Sequence, residues 1–105
     1  MTARERLPNR RSAESFDFEV AGLHYTATVG RFPDGRIGEL FLSNHKANSQ
    51  ANGFARDSAV AASLALQFGC SLETLRGAVL RNADGTAATP LGAALDVIAH
   101  AGRKQ

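Results

Sequence analysis

The sequence predicts an α+β fold: a three-stranded antiparallel β-meander followed by three helices packed on one face of the sheet. Three observations predict it. Apolar residues alternate with a period of two through residues 16–43, and with helical spacing from residue 54 onward. The strand-like segments are joined by short, turn-rich connections, which favour antiparallel neighbours. All the strands precede all the helices, an order that segregates helices to one side of a sheet.

Phe16, Phe18 and Val20 alternate with Asp17 and Glu19, the pattern of a half-buried strand, and Ala21-Gly22 breaks it. Leu23, Tyr25, Ala27 and Val29 alternate with His24, Thr26 and Thr28 in a second strand. Pro33-Asp34-Gly35 is a turn: proline presets φ at the first central position and glycine takes a positive φ. Residues 37–43 form a third strand, with Leu40, Phe41 and Leu42 apolar on both sides, as expected of a central or doubly covered strand. Residues 44–53 have no large apolar side chain and read as a polar loop.

The first helix is predicted over about 54–68. Arg56, Ser63 and Gln67 share a polar stripe, and Phe54, Val60, Ala61, Leu64, Ala65 and Phe68 cover much of the remaining circumference, which describes a largely buried helix. Gly69 ends it, and Ser71 caps a short helix with Leu72, Leu75, Val79 and Leu80 on one face. Residues 82–85 form a loop. Thr89-Pro90 starts a third helix with Leu91, Ala94, Leu95 and Ile98 inward; it ends near Gly102, with Arg103 and Lys104 suiting its negative end.

The chain has 105 residues, the size of one domain. Alanine supplies 19 of the 46 hydrophobic residues, and Leu, Ile, Val and Phe together number 24, enough for a small core. Residues 1–14 are polar and read as a flexible or loosely docked basic arm; residues 15–105 form the single α+β domain. Arg4, Arg6, Arg10 and Arg11 against Glu5 and Glu14 place the whole net charge of +2 on the arm and leave the body neutral. A neutral body argues against a broad nucleic-acid groove, which needs a patch of phosphate-neutralising cations. The arm itself is a candidate contact for nucleic acid or an acidic partner protein.

No apolar run approaches a membrane span, and no apolar core of a secretory signal is present. Cys70 is the only cysteine, so no internal disulfide or cysteine metal cage is expected, and the chain is expected to be cytoplasmic with no membrane partner. His24, His45 and His100 are not spaced as a helical metal pair, so no metal is expected. Cys70, beside the Ser71 cap, reads as a packing residue rather than a reactive thiol, and Asp57 as a structural carboxylate near a helix start. No catalytic residue is assigned, because no carboxylate pair and no nucleophile with its base stands out. The ligand-site candidate is the polar loop, with Asn44, His45, Lys46, Asn48 and Ser49 running into a helix N-terminus where free N–H groups favour anions.

The run Ile37-Gly38-Glu39-Leu40-Phe41-Leu42-Ser43-Asn44-His45-Lys46, the helix from Asp57 to Gly69 and Leu72-Glu73-Thr74-Leu75 resemble the TSCPD domain. That domain stands towards the C-terminus of ribonucleoside-diphosphate reductases, notably cobalamin-dependent ones, and in short stand-alone proteins. The resemblance covers about residues 16–80. Lys46 matches the family's loop lysine, with His45 where glycine is usual. The Thr-Ser-Cys-Pro-Asp motif and the flanking cysteines are absent, so no redox or metal role is inherited from them.

The resemblance implies a link to deoxynucleotide synthesis and DNA replication. Radical reduction of a ribonucleotide needs a thiyl-forming cysteine and a reducing pair, which one cysteine does not supply. The expected function is therefore a non-catalytic accessory or binding module. Its expected partner is a ribonucleotide reductase subunit or a second copy of itself, as a homo-oligomer. No cofactor is expected, adenosylcobalamin belonging to the full-length enzymes. One alternative is a small module that binds a nucleotide or single-stranded nucleic acid. Another is that the chain is itself a ribonucleoside-diphosphate reductase.

Overall fold

The computed structural model describes residues 3–101. Strands β1 (Ala13–Val20), β2 (Leu23–Arg31) and β3 (Ile37–Asn44) form an antiparallel sheet in the order β1-β2-β3. Helices α1 (Gln50–Gln67), α2 (Leu72–Ala78) and α3 (Pro90–Ala101) follow. The predicted α+β meander-then-helices order is therefore the observed one. Gly102, Arg103 and Lys104 lie outside the described residues.

The β1–β2 connection is Ala21-Gly22, with Val20 paired to Leu23. Both turn residues have positive φ, 53° and 78°, the hand that matches strand twist in a two-residue hairpin. Alanine is strained in this left-handed region. Ala21→Gly or Ala21→Asn is expected to raise thermal stability by about 1 kcal/mol, read as a higher melting temperature. The β2–β3 turn runs through Phe32-Pro33-Asp34-Gly35, closed by Gly35 N–H to the Phe32 carbonyl at 2.9 Å, with Gly35 at φ 96°. Asp34 accepts from the Arg36 backbone and side chain, which lowers its pKa.

The register puts Phe16, Phe18 and Val20 on the same face as Tyr25, Ala27, Val29, Leu40 and Leu42. Ala55, Ala59 and Ala62 of α1 and Ala94, Leu95 and Ile98 of α3 close over that face. The small α1 side chains let the helix lie close to the sheet.

The prediction for β3 needs correction. It is an edge strand, and Phe41, on the face away from the helices, is 55% exposed. What covers β3 is the side of α1. Ser63 Oγ accepts from Leu40 N–H at 2.8 Å and donates to the Leu40 carbonyl at 3.0 Å. Gln67 Nε2 donates to the Gly38 carbonyl at 2.9 Å, and Asn52 Oδ1 accepts from Asn44 N–H at 3.0 Å. The polar stripe of α1 thus completes the hydrogen bonding of a sheet edge that would otherwise be open to another strand.

The burial expected of α1 is corrected with it. Phe54, Val60, Ala61, Leu64 and Phe68 are exposed, while Ala55, Ala59 and Ala62 face the core. The polar stripe takes the place beside the sheet, so the bulky apolar stripe is turned outward. The helix also begins earlier than predicted, at Gln50 behind a Ser49 cap, which shortens the polar loop to residues 45–49. Leu80, expected on the inner face of α2, follows the helix and is 67% exposed.

One ion cluster was not anticipated by residue spacing. Arg81 Nη2 and Nη1 donate to Asp96 Oδ1 and Oδ2 at 2.9 and 2.5 Å, and Arg76 Nε donates to Oδ1 at 3.1 Å. These bonds tie α2 and the chain after it to α3. Arg81 first, and Arg76 second, hold the Asp96 carboxyl at about 2, below its ordinary 3.8. Because the folded value is depressed, the contribution is present above about pH 4 and is lost as pH falls towards 2. Asp96→Asn is expected to cost about 1 to 2 kcal/mol at neutral pH, after allowance for solvent screening. It is also expected to flatten the acid limb of a melting-temperature profile between pH 4 and 2.

Candidate functional site

The five loop candidates separate once folded. Asn44 is the last residue of β3 and is buried. Its Oδ1 accepts from Lys46 N–H at 2.8 Å, and its Nδ2 is buried without a partner among the described residues. Ser49 is the cap of α1: its Oγ accepts from Asn52 N–H at 3.1 Å and donates to the Lys46 carbonyl at 2.7 Å. Asn48 takes a left-handed φ of 62°, a conformation asparagine tolerates, and reverses the chain into the cap. Asn44, Asn48 and Ser49 therefore build the loop. Lys46 is exposed and forms no ion pair among the described residues.

His45 meets partners that spacing did not reveal. Its backbone N–H donates to the His24 carbonyl at 3.0 Å, and the two rings stack with centroids 5.9 Å apart. His45 Nε2 and Thr26 Oγ1 are 3.0 Å apart, while Thr26 Oγ1 donates to Asp17 Oδ1 at 2.7 Å. The hydroxyl proton is engaged by Asp17, so His45 must donate through Nε2. The hydrogen bonds run from His45 through the Thr26 hydroxyl to the Asp17 carboxylate. Paired period-two strands put His24, Thr26 and Asp17 on the outer sheet face, and that alternation is the one sequence signal that could have found the cluster. Among the described residues, no group of three His, Cys, Asp or Glu side chains is placed to hold a metal ion.

The arm lies against the body. Arg4 Nε donates to Gln67 Oε1 at 2.6 Å and Glu5 N–H to the Gln67 carbonyl at 2.7 Å. Glu5 pairs with Arg36 at 3.1 Å. Arg11 forms an ion pair with Glu39, Nη2 to Oε1 being 3.1 Å, and this raises the arginine pKa. Gly30 makes room for Glu39: a Cβ there would lie 2.3 Å from Oε2. Arg6 and Arg10 are exposed and make no ion pair among the described residues. Two of the four arm arginines are thus engaged within the chain.

Between the outer face of β3 and α1 runs a groove of about 650 Å³. Phe41, Val60 and Leu64 supply its apolar wall, and Arg4, Arg56 and Asn44 its polar margin. Lys46 and His45 are not part of the lining. Arg56 forms no ion pair among the described residues; the Glu39 carboxylate, paired with Arg11, also lines the groove. Sequence periodicity missed the groove because it assigned Val60 and Leu64 to the core.

No helix among the described residues is long and apolar enough to cross a membrane. No family model matches the chain, and no solved structure matches it. Curated proteins do. Over 70 residues, 67% of this chain, it is 41% identical to a vitamin B12-dependent ribonucleotide reductase of Agrobacterium fabrum. It is 39% identical over 72 residues to the protein of the same name in Rhodopirellula baltica. It is 37% identical over 71 residues to that of Streptantibioticus cattleyicolor. These matches cover 6%, 7% and 12% of the three relatives, so the chain is similar to a short segment of each.

Proposed function

We infer that this chain is a non-catalytic TSCPD-type module of deoxynucleotide synthesis, which works by holding a protein of that chemistry, a ribonucleotide reductase first among them. The observation that carries this reading is the similarity of about two thirds of the chain to a segment of vitamin B12-dependent ribonucleotide reductases. Cys70 is the only thiol in the sequence, whereas radical reduction consumes a dithiol and needs a further cysteine to carry the radical. The polar loop supports the same view, since three of its five candidates serve to shape the chain. On this reading adenosylcobalamin belongs to the full-length enzymes, and the module acts in the cytoplasm.

Two measurements test it. Incubated with a ribonucleoside diphosphate, adenosylcobalamin and a dithiol, the purified chain is expected to form no deoxynucleotide above the protein-free blank. Immobilised, it is expected to retain a purified vitamin B12-dependent ribonucleotide reductase. Turnover in the first assay, or no retention in the second, overturns the reading.

A second reading, binding of a nucleotide or single-stranded nucleic acid, is favoured by Lys46 and Arg56, two cations without a carboxylate partner among the described residues. It requires that anisotropy of a labelled oligonucleotide rise at low salt and fall in the double variant Lys46→Ala, Arg56→Ala. Asp17 and Glu19 on the same outer face as His45 oppose a polyanion there, which ranks this reading second.

A further inference from the structure

We propose that the groove between β3 and α1 is a binding site for a small organic anion, an oxyanion head group carried on a flat apolar body. The head group lies at the end formed by Asn44, Asn52 and Arg56. This inference does not depend on the reductase reading.

That end is built from donors. Asn44 lines the groove and is 8% exposed. Its Oδ1 accepts from Lys46 N–H, which fixes the orientation of the amide. The free end is then Nδ2, a buried donor without a partner among the described residues. Buried donors are almost always paired, so an orphan in the wall of a groove marks where an acceptor belongs. Asn52 repeats the arrangement. Its Oδ1 accepts from Asn44 N–H at 3.0 Å, and the free end of its amide is Nδ2 too. Arg56 follows Asn52 by four residues, one turn along the same side of α1. It lines the groove and forms no ion pair among the described residues. Two amides with free N–H groups call for an acceptor, and the guanidinium beside them makes an oxyanion the matching one.

The charges around this end agree. Glu39 is the carboxylate of the lining, and it stands five residues before Asn44 on β3, about 16 Å away. It is paired with Arg11, at the end of the groove where Arg4 reaches Gln67. Asp57 follows Arg56 in the chain and is not part of the lining.

The apolar body has its own wall. Asn52, Arg56, Val60 and Leu64 succeed one another every four residues along α1, so donors give way to apolar side chains in a single row. Phe41 completes that wall from β3 and is 55% exposed. From Arg56 to Leu64 is about 12 Å along the helix, room for a head group and a body of two rings. The volume of about 650 Å³ falls in the usual range for small-molecule sites. A nucleotide fits less well, because one arginine matches one negative charge and Lys46 lies outside the lining.

The test uses the full chain and anilinonaphthalene sulfonate, a dye with a sulfonate on linked aromatic rings. Its fluorescence is expected to rise and saturate at one dye per chain. Arg56→Gln should weaken binding by ~10-fold with an unchanged melting temperature, because the arginine is exposed and unpaired. Phenylnaphthylamine, the same rings without the sulfonate, should bind with an affinity indifferent to Arg56→Gln. Phe41→Ala should weaken both dyes, and Phe54→Ala, exposed outside the groove, neither. The side-chain amide resonances of Asn44 and Asn52 should shift as the sulfonate is added. A titration that does not saturate, full affinity in Arg56→Gln, equal losses from Phe54→Ala and Phe41→Ala, or amide resonances that stay in place would each overturn the proposal. Displacement of the dye by ATP would overturn it in favour of a nucleotide site.

Discussion

Leu95→Ala is expected to cost about 3 kcal/mol of folding stability, the largest loss of any single truncation considered for this chain. Leu95 is completely buried, in the cluster where α3 meets Tyr25, Ala27 and Leu42 from the sheet and the α1 alanines. Removing it deletes apolar contacts and leaves a cavity, because the surrounding alanines are too short to collapse into the space. A domain of this size has about 5 to 15 kcal/mol in all, so the variant loses a large share. Its melting temperature should fall by about 15 °C. Leu80→Ala is the matched control: the same truncation at an exposed site should change stability by less than about 0.5 kcal/mol. Equal losses at the two positions would show that burial is not assigned correctly.

Ser63→Ala is expected to cost about 2 kcal/mol, more than a typical exposed helix serine. The hydroxyl serves both the N–H and the carbonyl of Leu40 at the edge of β3. Its loss strands two backbone groups in a partly buried site, and a methyl group there keeps water from replacing it fully. A second consequence follows from the location. The edge of β3 becomes available for pairing with another chain, so the variant should aggregate faster on heating. Ser63→Thr retains the oxygen and should recover part of the stability. A Ser63→Ala variant as stable and as soluble as the unmodified chain would remove the edge-sealing role assigned to α1.

These two residues mark how far local pattern could be read. Leu95 is in the core as expected, because Leu91, Ala94, Leu95 and Ile98 repeat with a helical period and Asp96 falls on a different face. Ser63 and Gln67 also share a stripe, and the structure sets it against the edge of β3. Periodicity shows that side chains share a direction and does not show what lies in that direction. The same ambiguity misplaced Phe54, Val60, Leu64 and Phe68. A helix packing on a core through alanines leaves its bulky residues elsewhere, and hydrophobicity alone ranks phenylalanine above alanine for burial.

The candidate site was legible as a segment and not as an arrangement. Residues 45–49 are a loop, as the lack of large apolar residues implied, yet Asn44 and Ser49 are held by the bonds that shape it. The His24–His45 stack and the Asp17–Thr26–His45 chain join residues from two strands and the loop after the third. They depend on strand register, which is set by turn geometry and burial of one face. The Arg76–Arg81–Asp96 cluster likewise joins residues 15 and 20 apart, beyond any helical repeat.

By itself, the sequence determined the element order, the hairpin turns, the helix caps at Ser71 and Thr89 and the supply of one thiol, because each rests on the chemistry of a few adjacent residues. Only the tertiary structure decided which side of α1 faces the sheet, because that choice balances the unmet hydrogen bonds of β3 against the burial of two phenylalanines. Ser63 and Gln67 satisfy the edge groups of β3, while Ala55, Ala59 and Ala62 of the same helix face the core. The bulky apolar stripe was left outside.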